Sequence, residues 1–515
     1  LSLILTWRNS CLTHHTTTCA PPVPVPLPTR LLNVTTDPPL LVEPTPGTLG
    51  AYLTLSHCWG PNPLITTTTS NLHRHSTTGL PLETLPPTFR DAILTTRALG
   101  HTLLWIDSLC ILQDSRSDWA REAARMGSYF AECEIVLAAA HAAHSGEGLF
   151  RTRDAWGHQP WQGGVRMPGV AGESVPGKVR AWPAKEETVT LTREIGWDRG
   201  KAVRKGPLDG RAWTMQEGWL AQRVVRWEGF QVRWVCKGGE GCENWVGMRE
   251  GEGAGEPWVR SLGGMGKGME RDLYMGWYRT VEEYTVRAIT KQFDILPAIG
   301  GLASRFEELV QDRYVAGLWE GDLHQGLLWT VEGPIQPGEQ RFRAPSWSWA
   351  SVNLTSIKFG NIPKQEYSSW IKEWFAVDEV TTPLASANAY GEVDGGTLKA
   401  RGYLRELKLA KPSVGGKVYG IRKNALLNPE TGETLGTIFL DYPRLSTDPT
   451  LHVWCVPVMH AGKGTGTLSS VCLALVPTGS VESQEFKRVG LATITNKKWD
   501  QDFFPSDGKQ SICIM

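Results

Sequence analysis

Charge of one sign, paired-cysteine metal motifs and long apolar runs are all missing from this sequence. Lys+Arg and Asp+Glu each number 53, so the formal net charge is zero. A nucleic-acid-binding domain carries a basic surplus or stripe as its electrostatic footprint, and no nucleic-acid partner is expected here. No apolar run approaches the roughly 18 residues that a membrane-spanning helix needs, so no membrane partner is expected either. The opening LSLILTW is too short for a secretory h-region and has no basic lead. The ten cysteines are scattered and none forms CxxC; reduced thiols in a cytoplasmic protein are the expectation. The terminal SICIM places Cys513 third from the end, off the prenylation pattern.

What the chain does have is tryptophan, 23 residues in 515, and a 41% hydrophobic fraction with 21% charged residues. This is the composition of a globular protein with sizeable cores, and the length suggests two to four domains. An N-terminal lead occupies residues 1–49; its first 30 residues are Thr/Pro-rich, with APPVPVPLP as an extended piece. Strand-like and helix-like segments then alternate. RLLNV and AYLTLSHCWG read as strands. PLETLPPTFRDAILTTRALG reads as a turn and then a helix, with Phe89, Ile93, Leu94 and Ala98 at helical spacing and a stop at Gly100. HTLLWID and EIVLAAAHAA show the unbroken apolar pattern of buried parallel strands. Between them lies a helix with Trp119, Ala123, Met126 and Phe130 on one face. The β–α–β–α–β order predicts an α/β domain with a parallel, partly doubly wound sheet.

Further along, RAWTMQEGWLAQ reads as a short helix and RVVRW–EGF–QVRWVC as a hairpin turning at Glu228-Gly229. The resulting organisation is an α/β domain over 50–235, a Gly-rich linker or loop over 236–270, a helical region over 271–340 and a β-rich region over 341–515. The Gly-rich stretch lacks GxxxxGK[ST], and the serines of APSWSWAS stand in no GxSxG elbow, so neither a P-loop nor a serine hydrolase is indicated.

The densest chemistry lies between Leu103 and Met126, in LLWIDSLCILQDSRSDWAREAARM. An apolar run ends at Asp107, a polar loop follows with Cys110, Gln113 and Asp114, and a helix then starts at Ser117 or Asp118 carrying Trp119 and Glu122. Open α/β sheets bind ligands where strands end and helices begin. Asp107 there is a ligand contact or the side chain of an Asx turn. Cys110 is a packing thiol before it is a nucleophile. Ser56, Trp59 and Gly60 end the preceding strand and form either a pocket wall or a tight turn before Pro61. Arg211 can clamp a phosphate, with Glu217 as its alternative salt-bridge partner. Cys11, His14 or His15, and Cys19 resemble part of a metal site, but structural zinc needs four ligands. No fourth stands nearby in sequence, so no metal is expected.

Three of these stretches occur in one order: LSHCWG at 55–60, LLWIDSLCILQD at 103–114 running into DWAREAARM, and RAWTMQEGWLAQRV at 211–224. In this order they resemble the fungal heterokaryon-incompatibility (HET) domain family. An RLLNV lead-in and the downstream YTVRAITKQFDILPAIGGLA, YVAGLWEGDL and APSWSWAS resemble the flanks of full-length members. His57 departs from the family, which usually has Tyr there. The resemblance implies a part in fungal non-self recognition and programmed cell death, through self-association or an upstream sensor protein. It also implies a distant similarity to Toll/interleukin-receptor (TIR) domains, hence a flavodoxin-like parallel sheet. Some TIR domains cleave NAD+ with a glutamate that follows a tryptophan on a helix. Trp119 and Glu122 fit that pair with one residue fewer between them. Glu122 is then the expected catalytic carboxylate of an NAD(P)+ glycohydrolase, facing an oxocarbenium-like ribosyl centre. Ser56 and Asp107 would orient ribose, and Trp59 or Trp119 would stack on a ring; Gly60, Cys110, Gln113 and Arg211 complete the expected substrate contacts. NAD+ is substrate here, and no cofactor is expected. The competing reading of Glu122 is a helix-start glutamate paired with Arg121 or Arg125. The competing function is a non-catalytic, oligomerising death-signalling module. A biosynthetic enzyme on the same scaffold is a third option.

Overall fold

The computed structural model describes residues 1–61, 65–151, 161–162, 179–183, 189–193, 206–243, 248–250, 270–332, 342–353, 356–360, 374–410, 417–418, 421–442, 445, 451–463, 467–479, 484–496 and 508–515. The chain divides into two compact units, Leu1–Gly263 and Gly264–Met515.

The first unit is built on a nine-stranded sheet. In chain order its elements are α1 (Ser2–His14), β1 (Leu31–Asn33), β2 (Leu40–Val42), β3 (Leu53–Ser56), α2 (Pro87–Ala98), β4 (Leu103–Trp105), α3 (Arg116–Glu132), β5 (Ile135–Ala138), α4 (Thr214–Trp219), β6 (Arg223–Trp227), β7 (Val232–Cys236), β8 (Gly239–Cys242) and β9 (Met248–Glu250). Their spatial order is β9-β8-β7-β6-β5-β3-β4-β1-β2. Only the middle four are parallel, with Leu53 beside Leu104, Ser56 beside Ala138, and Val224 beside Val136. Every residue of β3 and β5 is buried, which is why these segments read as unbroken apolar runs. The outer strands on both sides are antiparallel, β1 onto β4 at one flank and the β6–β7 hairpin at the other. That hairpin turns at Glu228-Gly229 as its sequence predicts, closed by the Glu228 amide donating to the Gln231 carbonyl at 2.9 Å.

Local signals explain most of the element ends. Pro87 starts α2 with its φ already helical, and Gly100, at φ +81°, ends it in the left-handed region. The buried face of α2 differs from the expected one. Phe89, Ala92, Ile93 and Thr96 point inward, while Leu94 is 42% exposed and Ala98 is also outside. Helix α3 is capped by the Ser115 hydroxyl, which accepts from the Asp118 amide at 3.2 Å. It buries Ala123, Met126 and Phe130 as read from the sequence.

Two expectations are corrected. The lead, read only as Thr/Pro-rich with one extended piece, opens with α1, which buries Ile4, Trp7 and Cys11, and β1, read as a strand from RLLNV, is joined by an outer strand, β2. Gly241 in β8 makes room for the Trp7 indole, since a Cβ there would lie 2.6 Å from Nε1. The start of the supposed Gly-rich linker is sheet, β8 and β9, because glycine permits this close approach; residues 251–269 lie outside the described residues. So do most of residues 152–205, expected to be loops and short strands.

The second unit opens with two helices, α5 (Glu270–Thr285) and α6 (Pro297–Val310), as the sequence predicts. Strands follow: β10 (Phe375–Thr381), β11 (Thr397–Tyr403), β12 (Arg405–Leu409), β13 (Ile421–Leu427), β14 (Thr434–Leu440), β15 (His452–Lys463), β16 (Thr467–Pro477), β17 (Glu485–Asn496) and β18 (Lys509–Ile514). The path β17-β14-β13-β12-β15-β16 returns to β17, closing a barrel. Closure removes the free edges that antiparallel sheets must otherwise protect.

Arg488 of β17 is fully buried. It donates to Asp441 at 3.0 Å and to the carbonyls of Leu327 at 2.6 Å and Trp329 at 2.5 Å, and its guanidinium lies 3.4 Å from the Trp329 ring centre. Removing one member of a buried pair strands the other's charge, at a cost of about 3–5 kcal/mol. Arg488→Ala is therefore expected to lower the stability of the barrel unit by that amount in urea unfolding. The double change Arg488→Met with Asp441→Leu should recover most of it.

Candidate active site

The four parallel strands stand in the order β4-β3-β5-β6, second-first-third-fourth along the chain, so the direction of winding reverses between β3 and β5. In open α/β sheets that reversal opens the ligand crevice at the strands' carboxyl ends. Ser56 is the last residue of β3 and pairs with Ala138 at the end of β5. All three motif stretches supply residues at this rim.

Ser56 and Glu217 are both buried, and the Ser56 hydroxyl donates to the Glu217 carboxylate, joining β3 to α4. Burial pushes the Glu217 carboxyl up to about 7; Arg211 and the Ser56 hydroxyl pull the other way, and the Asp107 charge adds to the rise. Glu217 therefore exchanges a proton near neutrality, the property wanted in a general acid or base. Arg211 donates to the His57 carbonyl oxygen, which fixes its guanidinium at the same rim. Asp107, on the single helical turn Asp107–Cys110 after β4, accepts from the Trp59 indole at 2.7 Å and from the Ser108 amide at 2.7 Å. Its side chain is 19% exposed, so it opens to solvent more than Ser56 and Glu217, whose residues are 3% and 5% exposed.

His57 is fully enclosed, edge-on to Phe89 at 5.0 Å between ring centres. Its Nδ1 stands 3.8 Å from Asp107 Oδ1. Neither ring nitrogen has a hydrogen-bond partner among the described residues. Burial lowers its pKa to about 4, against the opposing pull of Asp107, so the ring is neutral at physiological pH.

The remaining predicted residues fall into two groups. Trp59, Gly60, Asp107, Gln113 and Arg211 are half-buried. Gln113 bonds the Asp107 carbonyl at 3.1 Å and so braces the turn. Gly60, at φ +85°, passes so close to His144 that a Cβ would lie 2.5 Å from the histidine Cβ. Glu122, Cys110 and Trp119 belong to a second cluster. Glu122 is 0% exposed, and its carboxylate accepts from Thr29 at 2.8 Å, Tyr129 at 2.8 Å and Arg121 at 3.1 Å. Cys110 lies in the core, where burial pushes its thiol up to about 12, and its carbonyl accepts from Arg30 at 2.7 Å. Trp119 packs edge-on to Trp213 at 6.4 Å. Cys110 is thus a packing residue, with no side-chain surface to offer a substrate.

From the sequence, Glu217 is a salt-bridge option for Arg211, and His57 is a strand-end residue where the family usually has Tyr. The signal for Glu217 was its place in the third motif stretch, on the same short helix turn as Gln216 and beside Arg211.

Residues 52–217 match the model of the family described as Heterokaryon incompatibility protein (HET). No curated protein and no solved structure matches the chain.

Glu217 and His57 impose opposite pH dependences on folding. Glu217 holds its proton between the unfolded value near 4.5 and its folded value near 7, so stability falls as pH rises through that window. His57 refuses a proton between 6.5 and 4, so stability rises with pH there. The two trends offset one another in the unaltered chain. Glu217→Gln should leave a rising slope between pH 4.5 and 6.5, and His57→Tyr a falling one, each amounting to about 3 kcal/mol across its window. Urea midpoints measured against pH check both, and parallel profiles for the two variants would refute the assignment.

Proposed function

With residues 52–217 forming a HET domain, we propose that the protein is a cell-death effector of fungal non-self recognition acting in the cytoplasm, and that its chemistry is hydrolysis of NAD(P)+ at the β3–β5 rim. Clustering, by self-association or by an upstream sensor, switches it on. The observation that carries this reading is Glu217, a buried carboxyl poised near neutrality beside Ser56, Arg211, Asp107 and a buried His57 whose ring has no hydrogen bond among the described residues. Support for a nucleotide comes from the rim's position at the reversal of strand order, where flavodoxin-like sheets hold their ligands. The same order underlies the proposed likeness to TIR domains.

In this reading the N-glycosidic bond breaks with its electron pair leaving on nicotinamide, and water adds to the ribosyl carbon. Glu217 in its ionised form faces the positive charge that develops there and takes the water's proton. Asp107, steadied by the Trp59 indole, orients the ribose hydroxyls, and the Trp59 ring face is left for stacking. Arg211 meets phosphate oxygens. The catalytic role expected of Glu122 passes to Glu217, because three donors already hold the Glu122 carboxylate. Glu122 then ties α3 to Thr29 of the lead, braced by Tyr129 of the same helix.

One observation favours the non-catalytic reading. The Ser56–Glu217 bond also serves as an internal staple between the first and third motif stretches, which a signalling module would need equally. Nicotinamide release from NAD+ by purified protein, with and without forced clustering, separates the two. The expected result is release on clustering, reduced about 10²–10⁴-fold by Glu217→Gln and far less by Glu122→Gln. Loss with Glu122→Gln alone would restore the carboxylate role to Glu122. No release from the clustered protein would leave the oligomerising module.

A further inference from the structure

We propose that Cys11, His15, Cys19 and Cys236 bind one Zn2+ ion, which fastens α1 to the β7–β8 hairpin. Three of the four come from the lead at spacings of four residues. Cys11 and His15 lie one helical turn apart on a single face. The turn after α1 continues the path, with the Cys19 amide donating to the His15 carbonyl at 2.7 Å. That turn brings Cys19 back beside the other two. The fourth, Cys236, ends β7, and the sheet carries it in from beyond the far end of the HET span.

The donor atoms of all four residues lie within 4.8 Å of one another, and all four residues are buried. His15 Nδ1 stands 3.2 Å from Cys236 Sγ. Zinc bonds of about 2.3 Å to sulfur and about 2.0 Å to nitrogen set tetrahedral edges of roughly 3.4–3.8 Å, so the group need only draw together slightly. An iron–sulfur cluster would hold its thiolates farther apart, across its inorganic core. Three thiols and an imidazole are soft donors that select zinc over magnesium or calcium.

The surroundings are shaped for the same end. Gly238 passes over His15 so closely that a Cβ would lie 2.4 Å from the imidazole Cγ. Its amide hydrogen-bonds to Cys19. The Thr18 hydroxyl also approaches Cys19 Sγ, at 3.9 Å. Donors aimed at ligand sulfurs are the outer shell that metal thiolates use. The expectation of no metal rested on the lack of a fourth ligand in the neighbouring sequence, and the fold supplies one.

The test uses the full chain, expressed with zinc supplied and purified in thiol reductant without chelator. Elemental analysis should find one zinc per chain. Cys19→Ser and Cys236→Ser should lose it, while Cys472→Ser, in the other unit, should keep it. Because the first two variants can misfold, Co2+ exchanged into the unaltered chain gives a second readout. A tetrahedral thiolate site shows sulfur-to-cobalt charge transfer and intense visible d–d absorption. Chelation should also speed hydrogen exchange across residues 2–20 selectively. Background zinc together with a featureless cobalt spectrum overturns the proposal. So does a disulfide among Cys11, Cys19 and Cys236 in the reduced protein.

Discussion

Burying the Glu217 carboxylate away from water is the constraint around which the α/β unit is arranged. An ionised carboxylate in the interior needs partners or loses its charge. Here it receives the Ser56 hydroxyl, the field of Arg211 and the opposing field of Asp107. Those partners arrive on β3, on the approach to α4, and on the turn after β4. Parallel strands of order β4-β3-β5-β6 bring exactly such turns to one end of a sheet, so topology and electrostatics are two sides of one fact. The group that results is neither firmly charged nor firmly neutral at physiological pH.

A second buried ion pair secures the loop that carries Asp107. Arg30 lies in the stretch just before β1, donates to the Cys110 carbonyl and pairs with Asp118 at the start of α3. Asp118 also accepts from the Leu112 amide at 2.8 Å and from Arg121. The polar loop between β4 and α3 is thereby tied at both ends to a residue of the lead. Position of the rim acid thus depends on a side chain outside the HET span.

What could be read from the sequence, and what could not, divides by distance along the chain. Strands β3, β4 and β5 announce themselves as apolar runs, Gly100 marks the end of α2, and Glu228-Gly229 marks the hairpin. Each is a local signal. The buried face of α2 departs from its apolar positions, because Thr96 is buried by packing that hydrophobicity alone does not reveal and Leu94 is left outside. Helix α1 was hidden by the Thr/Pro-rich sequence that follows it, although Ile4, Trp7 and Cys11 have helical spacing. For the site, strand-end residues such as Ser56 and Asp107 were legible from the rule for α/β sheets. Glu217 as their partner was not, since a contact spanning 161 residues leaves no periodicity. The same holds for Cys236 and its distant companions.

The lead's short strands have one more consequence. β1 covers the outer edge of β4, and β2 in turn covers β1, ending three residues on with a charged residue and a proline, Glu43-Pro44. Trimming the protein at residue 50 would strip this selvedge and leave the amide and carbonyl groups of Leu103–Trp105 open along a flat apolar margin. Such a margin is a template for strand addition between molecules. Clumping of a shortened protein would then report a cut seam, and is to be told apart from the clustering proposed above as its trigger.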